Sequence, residues 1–185
     1  MIRFASLFLL MVVFASPLSA QVEEVDREVA VRPLLGIHLG YAGIEKAKNT
    51  IEFGAAAEIG SYRTPRLRVA LGVNYLSSDT NRPPRPAGSF SELSVYGDLR
   101  LKPFQVRSVA PYLGAGLGLH FRGNDYQEPN IADIYDGVAV GAQAFVGVLV
   151  DGHEDGRWGF SGELRTVRAD NLDRTSLRVG LFLRL

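Results

Sequence analysis

The sequence predicts an all-β fold: a closed, eight-stranded, antiparallel up-and-down barrel that crosses a membrane. Three observations carry the prediction. Residues 109–121 (VAPYLGAGLGLHF) alternate with a period of two, which belongs to an extended strand and not to a helix. Val109, Leu113, Ala115, Leu117, Leu119 and Phe121 share one face, and Tyr112, Gly114, Gly116, Gly118 and His120 share the other. Seven further segments repeat this pattern. Finally, every charge inside the eight segments lies on the polar face and none on the apolar one.

Taken in order, residues 1–20 read as a secretory signal: Arg3, an apolar run over 4–15, then small residues up to Ala20. The run is too short for a spanning helix. Residues 21–31 are charged and read as a short N-terminal lead-in on the periplasmic side. The barrel is expected over 32–185, with strands at 33–41, 51–61, 66–75, 91–103, 109–121, 137–150, 158–166 and 177–185. No cysteine is present, so neither a disulfide framework nor a lipid-attachment cysteine is expected. Net charge is zero and falls to about −1 once Arg3 is removed, which gives no basis for nucleic-acid binding.

The polar face carries five acids (Glu52, Glu58, Glu92, Asp98, Glu163) and seven bases (Arg66, Arg68, Arg100, Lys102, Arg165, Arg178, Arg184). A soluble ligand-binding barrel would place its charges outside and its apolar groups inside. A β-sandwich would not line its inner faces with paired acids and bases. Hydrocarbon penalises an outward charge by about 2–4 kcal/mol at the midplane, so apolar-out and charged-in is the membrane pattern. Aromatic residues fall where the two membrane interfaces would lie. Tyr41, Phe53, Tyr75 and Phe121 sit toward the outer ends of their strands, and Trp158 and Phe160 toward the inner end. The connections 61–65 and 104–108 are short, as inner turns should be, and 76–90 and 122–136 are long and polar, as outer loops should be.

The run from Pro111 to Gly118, among alternating strands behind an export signal, resembles the small outer-membrane β-barrel family of OmpA-type membrane domains, OmpX-like and opacity-type proteins. The end of the chain, Arg178-x-Gly180-x-x-Leu183-x-Leu185, is similar to the terminal signal that the outer-membrane insertion machinery reads, although Leu185 stands where an aromatic is usual. The resemblance implies an outer-membrane address, contact with outer-membrane lipids and lipopolysaccharide, and no cell-wall-binding domain.

Eight strands enclose a space that side chains fill, so the expected lumen holds ion pairs and water, with glycines making room for the long charged side chains. No catalytic, cofactor or metal site is expected. His38, His120 and His153 lack a local serine motif, although Glu92 and His120 could face one another across the lumen. His153 lies in a Gly-flanked acidic run, 151–156, that reads as a solvated turn. The glycines of 114–118 lie inside a strand with no helix after them, so they form no phosphate loop. A structural or surface-contact role through the outer loops is the expectation, with a narrow low-conductance channel and a lipid-modifying hydrolase as alternatives. The basic, proline-stiffened 81–86 and the acidic 123–136, with Tyr126 and Tyr135, are the loop segments available for contact. The face assignment predicts that Val146→Arg blocks membrane insertion while Gln143→Arg is better tolerated; equal yields of folded barrel in membranes would contradict it.

Overall fold

The computed structural model describes residues 33–44, 49–62, 64–79, 88–125, 136–152, 157–170 and 173–185. The expected export signal (1–20) and lead-in (21–31), the segment 81–86, Tyr126, Tyr135 and His153 lie outside the described residues. Eight strands follow one another: β1 (Leu34–Ile44), β2 (Thr50–Tyr62), β3 (Thr64–Asp79), β4 (Ser89–Leu101), β5 (Val109–Asn124), β6 (Gly137–Asp151), β7 (Trp158–Ala169) and β8 (Arg174–Arg184). Each pairs antiparallel with its neighbours in sequence, and β1 pairs with β8 from Leu34↔Arg184 to Ile44↔Arg174. The sheet is therefore a closed barrel without a free edge.

The connections β2–β3, β4–β5 and β6–β7 share the inner end with Leu34 and Arg184. Around Arg107-Ser108, Val106 and Val109 exchange two backbone hydrogen bonds of 2.9 Å, and Arg107 takes a positive φ of 52° to close the turn. The strands reach further outward than their apolar alternation suggests. β3 continues to Asp79, β5 to Asn124 and β7 to Ala169, and β8 begins at Arg174. Beyond the apolar band the outward positions become Ser77, Gly123, Arg168 and Thr175, yet the ladder goes on. Apolar alternation records contact with hydrocarbon, whereas strand length records pairing. For the same reason Leu76, Phe90, Arg122 and Arg174, which fall in loops by the sequence pattern, are strand residues with buried side chains.

The two faces differ completely. Ile37, Leu117 and Val179 are more than 60% exposed on the outside, while Glu52 and Arg165 on the inside are wholly buried. Phe53 and Tyr75 stack with ring centroids 5.3 Å apart toward the outer end, and Trp158 and Phe160 lie 5.6 Å apart at the inner end. The inward glycines make room chiefly for rings, not for charges as expected: Gly72 lies against Tyr96, Gly147 against Tyr112, Gly114 against Phe145 and Gly141 against His120. Gly40 beside Glu52 and Gly116 beside Asp98 are the ones that fit the expectation. A flat ring needs a flat floor, which only a side chain of hydrogen provides. A Cβ at Gly72 would meet Tyr96 Cε2 at 2.7 Å, whereas one at Gly60 meets nothing within 4 Å. Gly72→Ala should therefore cost about 1–3 kcal/mol in urea unfolding from detergent micelles, and Gly60→Ala should leave the midpoint within error.

Candidate functional site

Among the described residues polar side chains gather in the lumen, and they are layered. At the inner end Glu58 receives Lys102 Nζ at 2.6 Å and faces Arg68 Nε at 2.9 Å, and Arg184 reaches Asp151 at 2.7 Å. Beside them lies a buried apolar cluster of Leu34, Ala110, Tyr112, Leu149, Phe145 and Phe182, so the inner lumen is not only ions and water as expected. The aromatic members share the polar parity of their strands, where an apolar residue marks lumen filling. Arg66 does not join the layer. It is exposed at the inner end of β3, where the β2–β3 register shifts and its long stem reaches solvent.

At mid-height Arg165, fully buried, crosses from β7. Its guanidinium donates to Asp98 Oδ2 of β4 at 2.8 Å and to Glu163 Oε1 at 2.7 Å. It lies 4.3 Å over the Phe145 ring and 4.8 Å over Tyr96. Gln143 Nε2 donates to Asp98 at 2.6 Å, and the Tyr112 hydroxyl donates to Glu163 at 3.0 Å. Above this, Arg178 Nε donates to Glu52 at 2.5 Å, and Asn74 donates to the other Glu52 oxygen at 2.9 Å while its Oδ1 faces His38 Nε2 at 3.2 Å.

The outermost layer is centred on Glu92. Arg122 Nε donates to it at 3.0 Å, Arg174 from β8 also donates to it, and Ser94 Oγ donates at 3.0 Å. Arg122 additionally spans the mouth to the carbonyls of Ala169 and Asp170 at 3.1 and 2.8 Å, tying β5 to the end of β7. Arg122 and Arg174 escape the sequence pattern because they lie beyond the apolar band; their parity with His120 and Arg178 was the available signal. At the outer lip the exposed Asp125 accepts the Ser89 backbone N–H at 2.5 Å, and this bond holds its carboxyl below the usual carboxylate range.

Glu92 and His120 do meet, with His120 Nδ1 at 2.9 Å from Glu92 Oε1. Ser94 Oγ lies 3.1 Å from that same Nδ1. A hydrolytic triad needs serine and carboxylate on opposite ring nitrogens. Here both use one nitrogen, and Nε2, without a hydrogen-bond partner, faces Gly118 and Gly141. All three residues are buried. Of the residues expected to form a terminal signal, Arg178 lies in the lumen, Gly180 packs under the Ser161 hydroxyl, and Leu183 and Leu185 point outward. Among the described residues no cluster of His, Asp or Glu has the arrangement of a metal site.

Removing one member of a buried pair strands its partners. Arg165→Met should therefore cost about 3–5 kcal/mol in urea unfolding, and adding Glu163→Gln, which removes one carboxylate along with the one cation, should restore part of the loss. An additive double variant would show that the two side chains do not act as a unit.

No protein-family model and no curated protein matches the sequence. Solved structures do match. Neisserial surface protein A (NspA) superposes with a TM-score of 0.62 at 18% identity, over 83% of this chain and 97% of that one. Ail, the attachment invasion locus protein of Yersinia pestis, in complex with the heparin analogue sucrose octasulfate, gives 0.58 at 11% identity, over 83% and 98%. The outer membrane enzyme PagL gives 0.58 at 12% identity, over 81% and 99%. The chain thus has the fold of the small eight-stranded outer-membrane barrels.

Proposed function

We propose that this chain is exported, inserted in the outer membrane of a double-membraned bacterium, and serves there as a structural or surface-contact barrel acting through its outer connections. The observation that carries this reading is the separation of faces: ions sealed inside, and an unbroken apolar belt outside that only lipid would cover. Outer-membrane lipids and lipopolysaccharide are then its permanent surroundings. The segment Arg178-x-Gly180-x-x-Leu183-x-Leu185 would present it to the insertion machinery.

A barrel whose lumen is spanned at mid-height by Arg165, Asp98 and Glu163 is built as a rod rather than a pipe. The arrangement of Ser94, Glu92 and His120 on a single ring nitrogen speaks against hydrolysis, despite the likeness in fold to the enzyme PagL. Surface contact is what the names of NspA and Ail suggest for this fold, and the outer connections are the part of the chain placed to make it.

The expected outcome of fractionation is recovery in the outer membrane, with gel mobility that changes on heating. In planar bilayers the purified barrel should give no discrete channel openings. A folded, monomeric protein in detergent-free buffer would overturn the membrane reading, and reproducible current steps would replace the closed rod with a narrow channel.

A further inference from the structure

Among the described residues the lumen holds more cations than carboxylates. Among the described residues six buried arginines (Arg68, Arg100, Arg122, Arg165, Arg174, Arg178) face five buried carboxylates (Glu52, Glu58, Glu92, Asp98, Glu163), with histidines counted as neutral. Lys102 at the inner rim also draws on Glu58. Five of the arginines have a carboxylate oxygen within 3.0 Å, but Arg100 does not. Its ion pair is with Asp98 Oδ2 at 3.6 Å, the same oxygen that Arg165 occupies at 2.8 Å. The other Asp98 oxygen accepts from Gln143 at 2.6 Å, so Asp98 has little left to offer. Arg100 Nε is buried without a hydrogen-bond partner, and the guanidinium is covered by the rings of Tyr112 and Phe145 at 5.5 and 5.6 Å.

Arg100 also lines a cavity of about 40 Å³ in the inner half of the lumen, together with Arg178, His38, Ser161, Tyr96 and Glu163. Glu163 is the one carboxylate in that wall. It is already engaged by Arg165 at 2.7 Å and by Tyr112 at 3.0 Å, with Arg178 at 3.6 Å. Two guanidinium groups and a serine hydroxyl supply donors, while the apolar cluster beneath lowers the local dielectric and strengthens any charge that pairs with them. An uncompensated buried cation is costly, and a cavity of this size admits a monatomic ion or a few waters.

We propose that this cavity is a binding site for a small monovalent anion of the halide class, held by Arg100 and Arg178 and neutralising the excess lumen charge. A single monovalent charge matches the one guanidinium without a close carboxylate, and a metal cation would meet two arginines. The inference depends on the lumen alone and stands whatever the outer surface contacts.

The test uses the purified barrel in zwitterionic detergent, exchanged between sodium chloride and sodium sulfate at constant ionic strength. Above its dissociation constant, each tenfold rise in chloride should raise the folding equilibrium constant about tenfold in urea titrations. Arg100→Met should abolish that dependence, and Arg68→Met, which alters a pair outside the cavity, should keep it. Crystals soaked in sodium bromide should show one anomalous peak beside Arg100, so the site is testable on the wild-type chain even if Arg100→Met does not fold. A midpoint indifferent to chloride together with no bromide peak at Arg100, or an undiminished chloride response in Arg100→Met, would overturn the proposal.

Discussion

The constraint on which the rest depends is that hydrocarbon offers nothing to a backbone N–H or C=O. Each such group left open there costs several kcal/mol, so a sheet can cross a membrane only by returning to its own first strand. The pairing of β1 with β8 along their full lengths meets that condition. Closure then has a second consequence. It creates an interior too narrow for bulk water, whose contents must be settled by side chains, and half of all strand positions point into it.

The interior is settled by two devices used together. Aromatic rings lie flat over glycines, as Tyr96 over Gly72 and Tyr112 over Gly147, and arginines bridge between strands that are not neighbours. Arginine suits the second task because its planar fork binds two carboxylates while its faces rest on rings, as Arg165 does. Buried ion pairs contribute little net stability against an apolar filling. Their larger effect here is on register. A slip of one residue in β8 would turn Arg178 and Arg174 toward lipid, leaving Glu52 without its cations and Glu92 with Arg122 alone, so the paired lumen favours a single alignment of the strands.

The strand count, their order and the sense of each face were legible because lipid imposes a strict alternation that survives in a single sequence. The upper parts of β3, β5, β7 and β8 were not legible: outside the hydrocarbon the outward face turns polar while Leu76, Val167 and Ala169 fill the inside, so the alternation fades although the ladder persists. Arg122 and Arg174 were missed for that reason. Which acid meets which base was also hidden. Partners such as Asp98 and Arg165 come from strands three apart, and their meeting depends on the slant of the barrel rather than on spacing along the chain. The apolar inner cluster could have been inferred from Phe145 and Phe182, whose parity already placed them among the charges.

The apolar belt has a consequence for descent. A lipid tail is a solvent without shape, so at Ile37, Leu117 or Val179 it asks only for oiliness, and leucine, valine or phenylalanine satisfy it alike. Such positions are free to drift among synonyms. The inside is free in a different way, since any set of mutually satisfied side chains fills it equally well. A barrel of this kind keeps its architecture while its letters scatter, and kinship among such molecules is written in rhythm rather than in spelling.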